Sequence, residues 1–480
     1  MNGPTTGDWN GPDGAPAAWD GDPLQQNANS QDSPGEQPLD RESLRPSGLA
    51  EWFVISQTVL PAMLYLPGSQ AYRLPLRVGA YAISLYAFVV WWFDRGGRHP
   101  GRHPAERWLS LVLLCLVLMI AHPNTANLYV GLAQTALYFA IFCPLFWAPA
   151  YVQKPRQLVR LLVLLLVCNG INAMVGVLQV YDPAAWMPRE FSGTVMNTPG
   201  MLEMATYIGR NGQRIVRPPG LFDTPGAVCG PGATAALLGL IFALEPIAWW
   251  KRGVSVAFSA AGISAIYLSH VRSSLLVTVG MMAVYVALLA AANQKKRVTV
   301  FVGLAVGLVV VGLSVATFLG GESIQERFST LFEDDPRTLY YQSRGVALEN
   351  AFDKLLVDYP LGVGLGRWGM MSGYFGDSVA FDSKGFFAEI QPTAWILDGG
   401  IFLLLLYAIA LVVTMAYEIA LTRRLWDTGD RILAAIVVAA NFGTVAMVFS
   451  FVPFGTAIGM QFWFLEGALH GAMLHQLRRS

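Results

Sequence analysis

The stretch VTVFVGLAVGLVVVGLSVATFL, residues 298–319, contains no charged side chain. Wound as a helix at about 1.5 Å per residue it reaches about 33 Å, enough for the roughly 30 Å hydrocarbon core of a bilayer. Lys295, Lys296 and Arg297 stand immediately before it, as cations do where a helix emerges on the cytoplasmic side. Comparable apolar stretches occupy 49–67, 74–93, 107–122, 127–148, 158–180, 227–249, 253–270, 273–292, 393–418, 431–451 and 456–475. Of 480 residues, 54% are hydrophobic and 13% charged, about half the roughly 25% charge of a soluble domain. That excludes a string of soluble domains and a largely disordered chain. It predicts an all-α, polytopic membrane protein with about 12 transmembrane helices carried by residues 49–480.

Residues 1–48 hold seven Pro, seven Gly, eight acidic residues and two basic ones, Arg41 and Arg45. Such a segment cannot bury enough apolar area to offset chain entropy and is expected to be a disordered cytoplasmic tail. It lacks the basic start and apolar core of a signal peptide. With the tail inside and the spans alternating, the inner loops collect Arg95, Arg98, Arg102 and Arg107; Lys154, Arg156 and Arg160; Lys251 and Arg252; Lys295, Lys296 and Arg297; and Arg423, Arg424 and Arg431. The short outer loops hold Arg73, Arg77 and Arg272. Both termini are therefore expected in the cytoplasm. The four cysteines, 115, 143, 168 and 229, form no CxxC pair, and read as small apolar residues rather than as disulfide or metal ligands.

Two outer segments are long, 181–226 and 320–392. In the second, between spans nine and ten, Leu348, Phe352, Leu355 and Leu356 follow the spacing of an amphipathic helix, which predicts a large helical periplasmic loop. Polar residues at these outer edges carry the candidate chemistry. Arg214-Ile-Val-Arg217-Pro-Pro-Gly220 leads into the sixth span. Its Pro and Gly break the helix at the membrane face and leave two arginines near the apolar boundary, where an anion is an economical partner. A snorkelling anchor is the plainer reading of either arginine. Ser269-His270-Val271-Arg272-Ser273-Ser274 makes a tight outer turn in which a guanidinium, an imidazole and hydroxyls meet, a grouping suited to phosphate. Arg344 opens the stretch that ends in Tyr359-Pro-Leu-Gly-Val-Gly-Leu-Gly366. Residues 364–369 match GxGxxG, but without a strand–turn–helix context they read as a tight glycine-lined turn rather than a dinucleotide site.

The order Arg-x-x-Gly-Leu-Phe, Ser-x-x-Arg-Ser, and Arg-x-x-x-Leu-x-x-Ala followed by Tyr-Pro-Leu-Gly-Val-Gly resembles the O-antigen ligase/polymerase superfamily of bacterial integral-membrane glycan transferases, over roughly 200–420. The resemblance implies transfer of a glycan from undecaprenyl pyrophosphate to an acceptor hydroxyl on the periplasmic face of the bacterial inner membrane, with no metal, cofactor or nucleic acid. It implies that Arg217, Arg272 and Arg344, with Arg214 beside them, hold the donor pyrophosphate. The partners it implies are a lipid-linked glycan, an acceptor glycan, the bilayer and a chain-length regulator.

One departure matters. The ligases' His-Asn pair is missing: the corresponding stretch is Glu389-Ile-Gln-Pro-Thr-Ala-Trp-Ile-Leu-Asp398-Gly-Gly, with Glu389 in the histidine's place. All six histidines (99, 103, 122, 270, 470 and 475) lie outside the large loop. A carboxylate stripped of water beside a membrane face is suited to act as a general base, so Glu389 is the first candidate, His270 the second, and a structural Glu389 paired with Lys384 or an arginine the plainer alternative. The missing pair favours a Wzy-like polymerase of a surface or exported polysaccharide over a ligase. Outer-segment aromatics such as Trp186, Tyr207, Tyr340 and Trp368 suit sugar stacking or an ordinary interfacial belt. A transporter is the reading from another class. Glu245, Glu418 and Glu466 are its best residues, but no half-to-half repeat accompanies them.

Overall fold

The structure is a computed structural model, and it describes residues 48–95, 101–189, 191, 205–208, 212, 214–321, 335, 338, 340–375, 386–425 and 430–477. The expected tail lies outside the described residues except for Gly48. In chain order the elements are α1 (Leu49–Ala62), α2 (Arg73–Arg95), α3 (Glu106–Ile120), α4 (Leu128–Phe142), α5 (Pro144–Tyr151), α6 (Pro155–Tyr181), α7 (Pro183–Trp186), β1 (Thr206–Ile208), β2 (Arg214–Val216), α8 (Cys229–Ala243), α9 (Trp249–Leu268), α10 (Arg272–Ala291) and α11 (Lys295–Gly320). They continue with α12 (341–358), α13 (Gly369–Phe375), α14 (Gln391–Arg424), α15 (Arg431–Ala446) and α16 (Ala457–Leu477).

Each of the twelve predicted stretches falls on a helix. Among the described residues, seven segments are long and apolar enough to cross a membrane: 73–94, 128–151, 155–181, 272–291, 295–320, 391–424 and 431–449. The chain is thus an all-α, multi-pass membrane protein, with one small departure. β1 and β2 form an antiparallel hairpin that sets Tyr207 opposite Ile215. The β-branched pair Ile215-Val216 suits a strand, and Pro218-Pro219 prevents its continuation as a helix. The predicted amphipathic helix is present as α12, π-helical over Tyr341–Gly345 and Ala351–Leu355. Ala351 is buried on it and Leu355 and Leu356 pack on the core, while Phe352 stays 41% exposed.

Small residues set the closest helix contact. A Cβ on Gly262 would lie 2.4 Å from the Gly232 carbonyl oxygen, so α8 and α9 touch backbone to backbone. Such small-residue seams replace hydrophobic force where lipid and side chain are equally apolar.

Contacts between connectors sort them into two faces that alternate along the chain. On one, Tyr65 between α1 and α2 donates to the Phe222 carbonyl at 3.0 Å, Asn124 between α3 and α4 accepts from Arg367 Nε at 2.5 Å, and Tyr340 donates to the Phe449 carbonyl at 3.3 Å. On the other, Arg160 at the start of α6 pairs with Glu51 at 2.9 Å, Arg297 pairs with Glu245 at 3.1 Å, and His470 near the end of α16 meets the Gly101 carbonyl at 3.3 Å.

α14 is broken at Gly399 and Gly400, the latter at φ 59°. A break inside an apolar helix frees backbone groups that lipid cannot satisfy. The 360–366 turn supplies the partners: Ile401 N–H donates to the Pro360 carbonyl at 2.9 Å, and Val363 N–H donates to the Leu397 carbonyl at 2.8 Å. Gly364, Gly366 and Gly369 of the match, and Gly362 before it, all have positive φ, and a Cβ on Gly364 would lie 2.5 Å from Thr125 N. The glycines of the GxGxxG match are therefore explained by backbone geometry and close approach.

Candidate functional site

α8 begins at Cys229 and α10 at Arg272, and the two helix starts are adjacent: Cys229 Sγ lies 3.0 Å from Ser269 Oγ. Helix N-termini carry partial positive charge, so two converging starts form a positive corner. Arg272 occupies the first position of the 20-residue α10, where a cation opposes the dipole. Arg217 joins it from the loop before α8, close enough to Cys229 and Tyr207 for mutual electrostatic influence.

Burial works against the Arg217 charge and lowers its basicity, with Cys229 and Tyr207 opposing that effect. The Nε atoms of Arg217 and Arg272 and the Tyr207 hydroxyl are buried without a hydrogen-bond partner among the described residues. No carboxylate forms a salt bridge with either arginine among the described residues. Burial pushes the Tyr207 hydroxyl above its usual range, Arg217 pulling the other way, so it remains a neutral donor. The tyrosine ring stacks on His270 with centroids 3.9 Å apart and planes 24° apart. His270 is 5% exposed and sits at φ 57°, a left-handed conformation that costs on the order of 1 kcal/mol.

The loop carrying Arg217 is tied down throughout. Arg217 N–H donates to the Ala205 carbonyl at 2.9 Å, and its own carbonyl accepts from Gly226 N–H at 3.2 Å. Gln179 grips Gly220 from both sides, Oε1 accepting its N–H at 2.9 Å and Nε2 donating to its carbonyl at 2.7 Å. Asn172 Oδ1 accepts Leu221 N–H at 3.0 Å. Six residues beyond Arg217, buried Asp223 receives two arginines from α2: Arg73 Nη2 at 2.8 Å and Arg77 Nη2 at 2.5 Å. Arg77 Nη1 also donates to the Tyr374 hydroxyl at 3.2 Å, linking this loop to α13.

The structure thus brings together Arg217, His270 and Arg272 of the predicted site residues. Arg214 is exposed on the outer edge of β2. Arg344 and Glu389 form a separate ion pair on the same face, each side chain 37% exposed. Glu389 is therefore not the water-stripped carboxylate expected; it takes the ion-paired alternative, with Arg344 as partner, while Lys384 lies outside the described residues. Asp398, wholly buried beside the α14 break, accepts hydrogen bonds from Tyr138 at 2.6 Å, Trp368 Nε1 at 3.0 Å and Gln134 Nε2 at 3.3 Å.

Sequence reasoning placed Tyr207 only among aromatics suited to sugar stacking or an interfacial belt, not beside the arginines, and missed Asp223 as the partner of Arg73 and Arg77. The signal available for Asp223 was an acid six residues after Arg217 in a loop opposite two outer arginines. No protein-family model and no curated protein matches this chain.

Proposed function

We propose that this chain is a membrane glycan transferase whose donor is linked to a polyprenyl diphosphate, and specifically a polymerase of a surface or exported polysaccharide. The observation that carries the reading is the corner built by Arg217 and Arg272: one cation in the loop before α8 and one at the start of α10, each with a buried unpartnered Nε and neither in a salt bridge with a carboxylate among the described residues. A diphosphate supplies the missing charge and acceptors. In the reaction, the acceptor hydroxyl attacks the anomeric carbon, the bond to the diphosphate oxygen breaks, and the growing charge on the leaving diphosphate falls on fixed guanidinium groups. Glu389 takes the hydroxyl proton, which requires its ion pair with Arg344 to open first.

The same reading sets the chain in a bacterial inner membrane with 12 crossings and both termini inside, since the two alternating faces of connectors match the alternation of basic loops. The resemblance to O-antigen ligases and polymerases, and the absence of their His-Asn pair, support polymerase over ligase. A transporter reading draws support from Glu418 and Glu466, which meet in the interior. Reconstitution with lipid-linked repeat units separates these outcomes. The proposal expects longer glycan together with released polyprenyl diphosphate. Transfer of a finished glycan to a lipid or protein acceptor would make it a ligase, and movement across the bilayer without bond formation would make it a transporter.

A further inference from the structure

On the face opposite the arginine corner, Glu418 of α14 and Glu466 of α16 are both 0% exposed and lie close enough for each to influence the other's charge. Asn441 of α15 donates its amide N–H to Glu418 Oε1. His103, in the turn before α3, lies with Nε2 2.7 Å from Glu466 Oε1. His103 Nδ1 accepts the Ala105 N–H at 3.2 Å, so the ring proton sits on Nε2 and points at Glu466. Burial drives His103 down to about 3, and the ring is therefore a neutral donor rather than a counter-cation.

Counting donors and acceptors exposes a deficit. Two N–H groups, from Asn441 and His103, serve four carboxylate oxygens and the Asn441 carbonyl. Glu418 Oε2, Glu466 Oε2 and Asn441 Oδ1 are left buried without a hydrogen-bond partner among the described residues, and Asn441 is itself 1% exposed. An unmatched buried acceptor is costly, and an uncompensated buried charge more so. Among the described residues no lysine or arginine forms a salt bridge with either carboxylate. Tyr417 and His470 hydrogen-bond to each other at 2.6 Å, Glu106 accepts the His103 backbone N–H at 2.9 Å, and Glu466 and Arg424 both act electrostatically on Tyr417. No group of three or more His, Cys, Asp or Glu among the described residues could hold a metal ion.

We propose that Glu418 and Glu466 form a buried proton-binding site holding one exchangeable proton between their facing oxygens. The proton comes from bulk water and bonds to Glu418 Oε2, which then donates to Glu466 Oε2. The single event matches two of the three unpartnered atoms and lowers the charge of the pair from two negative to one. Glu466 remains the anion, held by His103. The site stands on α14, α15, α16 and the turn before α3, and is independent of the reading given to Arg217 and Arg272.

Infrared spectroscopy of the full chain in lipid, in H2O and D2O at neutral pH, tests it through the band of a protonated carboxyl. The expected result is such a band in the wild type that shifts in D2O, is indifferent to replacing choline chloride by sodium chloride, and loses one carboxyl's intensity in Glu418→Gln. That variant keeps an N–H donor toward Glu466 and should melt at the wild-type temperature, so the loss is not one of fold. Any of three results overturns the proposal: no protonated-carboxyl band in the wild type, a band abolished by sodium, or a band unchanged in Glu418→Gln. The second would assign a metal cation to the pair, and the third would place the proton elsewhere, such as on buried Asp398 of α14.

Discussion

The loop between α6 and α8 carries two kinds of arginine environment only six residues apart. At Asp223, Arg73 and Arg77 converge on one buried carboxylate and their charge is matched within the protein. At Arg217, the same loop presents a cation to Arg272 and to two helix starts, with buried N–H groups left unmatched among the described residues. One arrangement holds the loop; the other leaves a cation without a carboxylate salt bridge among the described residues. An arginine at a membrane boundary is thus informative through its partner, not through its presence.

The contrast is broken most forcefully at the unmatched pair. Arg217→Ala and Arg272→Ala are each expected to lower glycan transfer by about 100-fold or more, the scale of removing one fixed donor from a developing anion. Each should do so with the protein still folded, as checked by turnover of a purified lipid-linked donor beside a melting curve. At the matched pair the effect reverses. Asp223→Asn leaves two arginines facing one neutral amide and should cost roughly 3 kcal/mol of stability, read as a lower melting temperature. Adding Arg73→Gln and Arg77→Gln should restore much of it. If Asp223→Asn spares stability and abolishes only activity, the division between holding and binding is wrong.

Smaller changes sharpen the picture. Gly366→Val puts a Cβ 1.9 Å from Val130 at a φ of 73° and should destabilise by about 2 kcal/mol through overpacking and strain. A nucleotide site there would instead lose ligand without losing stability. The pH-dependent test is at His103. Its folded value of about 3 lies below the unfolded value of about 6.5, so between those limits only the unfolded chain takes up the proton. Its contribution is intact above pH 6.5 or so and is lost as pH falls toward 3. The melting temperature should therefore fall on acidification through that window, less steeply in His103→Gln.

Helix positions were legible because uncharged runs such as 298–319 and basic flanks such as 295–297 are local properties. The 359–366 turn was legible as a backbone device for the same reason: Pro and closely spaced Gly constrain φ wherever they stand. What stayed hidden was the pairing of residues distant along the chain. Asp223 meets Arg73 from 150 residues away, and Arg344 meets Glu389 from 45. Glu418 and Glu466 looked like isolated acids until α14 and α16 packed together. The β hairpin was hidden because three-residue strands are too short for alternation to register, although it is what lays Tyr207 over His270.

Equilibrium binding of a short-chain polyprenyl diphosphate to the full chain in detergent bears most directly on the central claim. Arg217→Gln and Arg272→Gln should each weaken binding about tenfold or more, as expected for a lost charge-assisted hydrogen bond, while exposed Arg214→Gln changes it little. Equal affinity in all three variants and the wild type would contradict that claim.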